Sequence, residues 1–149
     1  MIKELHIIVP GLPQGKGAAR HTVRGFTYTP TKTRQYMNFV KECAIKAGAQ
    51  PLEDPCSMTI YAFFPIPDSY TKSKTLACLD KLYFYTKKPD TDNISKIKDA
   101  LKDVAFKDDA QVFAETVMKE YDPNPRLEIV ITYHEQWKRR GKEALRSAD

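Results

Sequence analysis

The sequence predicts an α+β fold, a single domain on a mixed β-sheet with helices packed on one face. Three observations carry that expectation. The chain has 149 residues, 42% apolar and 11% aromatic, enough to bury one core without a disulfide or metal staple. Runs rich in β-branched and aromatic residues are interleaved with segments of helical periodicity. Their order, strand, hairpin arm, helix, strand, helix, strand, strand, helix, mixes the two element types instead of segregating them.

Residues 5–10 are rich in Ile and Val and close on Pro10-Gly11, so they read as a buried strand ending in a turn. Residues 11–19 are loop. The extended piece 25–29 ends at Pro30, a residue suited to the start of a helix. Over 31–48, Tyr36, Phe39, Val40, Cys43, Ala44 and Ala47 recur on one helical stripe, and Gly48 is the expected stop. Residues 57–65 read as a central strand between Pro-rich flanks. The stretch 66–88 reads as a surface excursion, with a short helix within 69–80 and a short strand over 82–86. Helical periodicity returns over 92–104. Strands follow at 111–121 and 126–134 around the turn Asp122-Pro123-Asn124-Pro125. The body of the domain is thus 1–134, and 135–149 is a basic tail, expected to be helical. There are no repeats and no low-complexity tract, and the 42% apolar content excludes disordered and collagen-like chains.

The net charge of +5 is unevenly placed. Lys3, Lys16, Arg20, Arg24, Lys32 and Arg34 face a single acid, Glu4, within residues 1–34, and the rest of the chain balances. An anionic partner is the first expectation. Cys43, Cys56 and Cys78 are odd in number and widely spaced, which indicates neither a disulfide framework nor a zinc site and fits a reducing cytoplasm. An early acid and the lack of a long apolar run argue against a signal peptide or a membrane span. Gly11-Leu12-Pro13-Gln14-Gly15-Lys16-Gly17 imitates a phosphate-binding loop but has the wrong glycine spacing and no hydroxyl residue after the lysine, so no nucleotide cofactor is expected. Lys16, Arg20 and Arg24 are read instead as contacts to DNA phosphates. The three histidines stand alone and carry no assigned role.

The chemistry concentrates in Lys88-Pro89-Asp90-Thr91-Asp92-Asn93-Ile94-Ser95-Lys96 and in Lys107-Asp108-Asp109-Ala110-Gln111-Val112. With Asp92 in the first turn of a helix at about 100° per residue, Lys96, Asp99 and Asp103 fall within about 40° of it. Ile94, Ile97, Leu101 and Val104 fall on the other side, and Lys98, at about 240°, lies off the acidic face. Asp90 precedes in extended chain on the side of Asp92. A strand returning beside the helix would bring Asp109 to Asp90 and Asp92. Two carboxylates about 5 Å apart repel by roughly 3 kcal/mol at an effective dielectric near 20, so three together call for a cation. An all-oxygen set selects Mg²⁺, with Mn²⁺ as a substitute, and such ions serve phosphoryl chemistry. Lys96 is placed to steady charge developing on a phosphate. Taken alone, the acids fit equally well as helix caps and a solvated face.

These motifs, with Asp99-Ala100-Leu101 and with Pro10-Gly11, Pro13, Lys16-Gly17, Arg20, Tyr28-Thr29-Pro30 and Lys32-Thr33 upstream, resemble the signature of the RusA family of Holliday junction resolvases. The resemblance covers most of residues 6–132. It implies a RusA-like fold and a homodimeric, Mg²⁺-dependent endonuclease that resolves four-way DNA junctions by paired nicks. It matches Asp90, Asp92 and Asp109 to the metal-binding acids and Lys96 to the catalytic lysine, with Lys98 as the alternative alignment because the helix is about one residue shorter than the family pattern; helical geometry favours Lys96. Asn93 matches a motif position without assigned chemistry. Gly17-Ala18-Ala19-Arg20 is less basic than the family pattern at that point. The contrasting reading is a non-catalytic, basic DNA-binding accessory module of phage origin.

Overall fold

A computed structural model describes residues 1–135 and 137–148 of the chain. Its sheet is built of β1 (Ile2–Pro10), β4 (Cys56–Phe64), β5 (Val112–Tyr121) and β6 (Arg126–His134), in the order β1-β6-β4-β5. β6 runs antiparallel to both β1 and β4, and β4 runs parallel to β5, so the sheet is mixed as expected. Alternate residues of β1, β4 and β6 enter the core: Ile7 and Val9, then Met58, Ile60 and Ala62, then Leu127, Ile129 and Ile131 are all buried.

The two last strands lie where the sequence places them, but they do not form a hairpin. β4 sits between them, paired to β6 on one side and β5 on the other. The connection at 122–125 crosses the end of β4, where Asp122 N–H donates to the Phe64 carbonyl at 2.9 Å. The Gly11 N–H donates to the Pro125 carbonyl at 3.1 Å and closes the same end against β1. The most apolar strand takes the central position, where both edges and one face are covered.

Helix α1 (Thr31–Lys46) covers the buried face, with Tyr36, Val40 and Ala44 inward at four-residue steps. Phe39 stays 37% exposed, so the stripe is narrower than the sequence suggests. The helix ends at Gly48, whose φ of +92° lets the Gly48 and Ala49 amides reach back to the carbonyls of Ile45 and Ala44. α2 (Lys72–Leu79) forms within the expected excursion, N-capped by the Thr71 hydroxyl, which accepts from Lys74 N–H.

Two expectations are corrected. Residues 82–86 form no strand, because Tyr83 and Tyr85 turn into a ring cluster with Tyr70 and Tyr121 instead of joining a ladder. The single helix expected over 92–104 is α3 (Thr91–Ser95) followed by a 3₁₀ turn (Lys96–Leu101), and Asp103 then adopts a φ of 63°. Ile94, Ile97 and Leu101 are all fully buried along this stretch, a spacing that both helix types accommodate, so the change to three residues per turn comes from packing and not from the apolar pattern. β2 (Arg20–His21) and β3 (Thr27–Tyr28) make a small separate hairpin. α4 (Trp137–Ala148) occupies the basic tail, with the Trp137 ring against His134 and Phe113. Among the described residues no helix is long and apolar enough to cross a membrane.

Candidate active site

α3 is short, and its position is fixed from outside. Lys119, near the C-terminal end of β5, donates through Nζ to the carbonyls of Lys87 at 2.7 Å and Pro89 at 3.0 Å. Between them the Tyr85 hydroxyl donates to the Lys88 carbonyl at 2.7 Å. Three consecutive carbonyls are thereby clamped immediately before Asp90, which is the N-cap residue of α3. Neither Lys119 nor Tyr85 stands out in the sequence. A lysine inside an otherwise strand-forming run is the one signal that marks the first.

Asp90 occupies the N-cap without using its side chain to cap, and Asp92 lies in the first turn. Both are exposed, and neither side chain makes a hydrogen bond or ion pair among the described residues. The Lys96 N–H donates to the Asp92 carbonyl, so Lys96 stands one full α-turn above Asp92 on the same side, also exposed and without a side-chain partner among the described residues. The capping explanation of Asp90 thus has no hydrogen bond behind it. Two free carboxylates beside a free ammonium supply only hard oxygen donors, a set that fits Mg²⁺ or Mn²⁺.

Asp109 opens a second 3₁₀ turn (Asp109–Gln111) that leads into β5 and packs against the Lys96–Leu101 turn. It is partly buried, and its neighbour Asp108 does the capping, accepting from Ala110 N–H at 3.0 Å. That amide, together with the Asp109 side chain, holds the Asp108 carboxyl below its ordinary range. Gln111 completes the box. Its Oε1 accepts from Asp108 N–H at 2.8 Å, and its Nε2 donates to the carbonyls of Leu52 at 2.8 Å and Asp54 at 3.0 Å. An acid three residues before a glutamine is the signal for such a box, missed in the sequence, and the box is what pins the Asp108-Asp109 pair.

Asp90, Asp92 and Asp109 do not close into one group: among the described residues no three His, Cys, Asp or Glu side chains are gathered tightly enough to hold a metal ion. Three converging carboxylates repel one another, a charge that a bound cation offsets. A Mg²⁺ ion needs only one or two carboxylates when phosphate oxygens and waters complete its shell.

The turn to 3₁₀ geometry redistributes the other charges. Asp99, expected on the Asp92 face, pairs with Lys16 at 2.9 Å. Lys98 reaches across to Glu115 of β5 at 3.0 Å. Lys16 is therefore engaged within the chain, and its backbone is held as well, donating to the Asn93 carbonyl at 2.8 Å. Gly15 beside it lies so close that a Cβ there would stand 2.9 Å from the Asn93 Cβ and 3.0 Å from the Pro89 Cβ. Asn93 thus serves as the seat of the N-terminal loop. Beyond that seat the loop rises into the β2-β3 hairpin, closed by Thr22 N–H to Phe26 O at 2.7 Å, with Arg20 and Arg24 both exposed. Lys16, Arg34 and Lys41 line one shallow pocket with Asp99, so two of the six basic groups of the first 34 residues, with Lys41 of α1, border the Lys96–Leu101 turn.

The family model described as endodeoxyribonuclease RusA matches residues 10–132. The chain is also 32% identical over 130 residues to the uncharacterized protein YqaN of Bacillus subtilis (strain 168), an alignment covering 83% of this chain and 92% of that protein.

Proposed function

Since the chain belongs to the RusA endodeoxyribonuclease family, we propose that it is a Mg²⁺-dependent endonuclease that resolves four-way DNA junctions by paired nicks, acting as a homodimer. The observation that carries the reading is the pair of unpartnered carboxylates at the start of α3 with Lys96 one turn above them. Asp90 and Asp92 hold the ion, and Asp109, on the adjoining turn, is the third acid assigned to it. When bound, Mg²⁺ polarises the scissile phosphodiester and lowers the pKa of an attacking water. Lys96 sets an ammonium against the charge that builds on the phosphate. Lys98, committed to Glu115, is not available for that role. Water attacks phosphorus, the P–O3′ bond breaks, and the strand is left with a 5′-phosphate and a 3′-hydroxyl that ligase can rejoin.

Arg20 and Arg24 on the hairpin hold the DNA backbone, while Lys16 ties the hairpin's base to the acids through Asn93 and Asp99. One site cuts one strand. Two copies related by a twofold axis present two sites to opposing strands of a junction that shares that symmetry.

The test separates binding from chemistry. Asp90→Asn and Asp92→Asn should each bind a labelled four-way junction as wild type does and lose Mg²⁺-dependent nicking by at least about 100-fold, the scale of a lost transition-state charge contact. Full-rate cutting by both variants would remove these residues from the site. Junction binding by the wild type without cutting in Mg²⁺ or Mn²⁺ would leave a non-catalytic DNA-binding module.

A further inference from the structure

We infer that residues 66–88 form a second DNA-contact surface, which receives an unpaired nucleobase next to the cut, with Leu82 and Phe84 as the stacking contact and Lys87 and Lys88 as phosphate contacts. The inference rests on the endonuclease reading for where the DNA lies.

The segment interrupts the crossover from β4 to β5 and carries five lysines against two aspartates. Its inner side is firmly built. Tyr85 stacks on Phe64 of β4 with ring centroids 3.7 Å apart and planes within 3°, and the Tyr70 and Tyr121 hydroxyls meet at 3.1 Å. Lys81 donates to the Tyr121 carbonyl at 2.9 Å, and the Lys74 ammonium lies 4.0 Å from the Tyr70 ring centroid.

Side chains alternate along the extended piece that follows. Tyr83, itself 41% exposed, and Tyr85 make ring contacts with the cluster, whereas Leu82 remains 76% exposed and Phe84 54% exposed, Phe84 making no ring contact among the described residues. A ring cluster has been assembled under a segment that leaves Leu82 and Phe84 as bare apolar surface. Single exposed apolar residues are ordinary. This pair is not isolated, because the chain continues at once into Lys87 and Lys88, exposed and with no side-chain hydrogen bond or ion pair among the described residues, and then into clamped Pro89 and Asp90. Phe84 is six residues from Asp90, at most about 20 Å of extended chain.

An exposed apolar ring followed within four residues by two exposed cations matches a partner with π faces and regularly spaced negative charge, which is single-stranded nucleic acid. Duplex DNA keeps its bases stacked inside. A branch point offers bases whose stacking is already broken, so the surface selects branched over linear DNA while the hairpin arginines grip either.

The test measures equilibrium binding by fluorescence anisotropy in EDTA, so that no cleavage intervenes, with four-way junction, linear duplex and single strand as probes at fixed salt. Phe84→Ala should weaken junction and single-strand binding roughly tenfold, the loss of one base–aromatic stack, and duplex binding less than about twofold. Phe84→Trp should restore the junction affinity. The double variant Lys87→Ala/Lys88→Ala should weaken all three probes and flatten the dependence of log affinity on log salt by about 2. Equal junction affinity for wild type and Phe84→Ala overturns the inference, as does an equal loss on duplex. Because these measurements need no cleavage, their failure is distinct from failure of the endonuclease reading. A wild type that never cuts but loses junction binding on Phe84→Ala keeps this surface and discards the nuclease. An active nuclease indifferent to Phe84→Ala does the reverse.

Discussion

Gly15→Ala adds one methyl group where the N-terminal loop meets α3. The new Cβ would stand 2.9 Å from the Asn93 Cβ, 3.0 Å from the Pro89 Cβ and 3.1 Å from the Asn93 carbonyl carbon. Carbon atoms settle at about 3.5–4.0 Å, so each contact overlaps by roughly 0.5–1 Å. None of the three can swing aside, since two are Cβ atoms fixed to backbone and the third is backbone itself. Gly15 is not among the glycines with positive φ, so the methyl and not the backbone angle causes the strain. Relief requires the loop to back away from the turn, stretching the 2.8 Å bond from Lys16 N–H to Asn93 O and the 2.9 Å Lys16-Asp99 pair. Overpacking costs about 1–3 kcal/mol and the hydrogen bond about 1 more. For a chain of this length that lowers the melting temperature by roughly 5–15 °C. A circular-dichroism melt and a junction-nicking rate are the assays, and the rate should fall about tenfold as the hairpin loses its seat beside the acids. Gly17→Ala is the control, because a Cβ there meets nothing within 4 Å. If the two variants melt together and Gly15→Ala cuts normally, the loop is not seated on α3 and the reasoning fails.

Gln111→Ala removes three hydrogen bonds of 2.8 to 3.0 Å that hold the Asp108-Asp109 turn, and should cost about 3 kcal/mol in urea unfolding; a loss under about 1 kcal/mol contradicts that role. The two lysines of the 3₁₀ turn should separate cleanly. Lys96→Ala lowers the nicking rate on the order of 100-fold with little change in stability. Lys98→Ala costs up to about 1 kcal/mol through its partly exposed tie to Glu115 and leaves the rate within about threefold; the opposite pattern moves the catalytic role to Lys98. For Asp122, burial pushes the carboxyl up, but the Asn124 N–H and the Arg126 guanidinium at 3.0 Å outweigh it and hold the group below its ordinary range. The stabilisation is complete above the unfolded value near about 3.9 and is lost as pH falls through the lower folded value. Asp122→Asn should therefore melt lower at neutral pH and show a shallower fall in melting temperature below about pH 4, and parallel pH profiles would refute the pairing.

What the sequence shows of this molecule is what neighbours in the chain decide. α1 was legible because Tyr36, Val40 and Ala44 repeat at four-residue steps and Gly48 accepts a left-handed φ. The strands were legible from their composition. Their pairing was not, because the tight turn after Tyr121 is compatible with a hairpin, and only competition for the sheet centre inserts β4 between β5 and β6. The break at Lys96 escaped for a related reason: Ile94, Ile97 and Leu101 satisfy α and 3₁₀ spacing nearly alike, and packing chooses between them.

The site divides in the same way. Asp90, Asp92 and Lys96 lie within seven residues, so their common side follows from local geometry. Lys16 looked like a free cation until Asp99, 83 positions away, claimed it. Lys119 gave no sign of its function because its partners are backbone carbonyls, 30 and 32 positions distant, which side-chain chemistry does not mark.

The central claim is that this chain cuts branched DNA through carboxylate-held Mg²⁺, and one measurement meets it directly. Purified protein is incubated with an end-labelled four-way junction, the linear duplex of the same sequence and single strands, each with Mg²⁺ and with EDTA, and the products are mapped on both opposing strands. The account predicts nicks placed symmetrically across the junction, resealable by ligase, absent in EDTA and absent from the duplex. Junction cutting that proceeds in EDTA, or a junction that is bound and never cut in Mg²⁺, would contradict it.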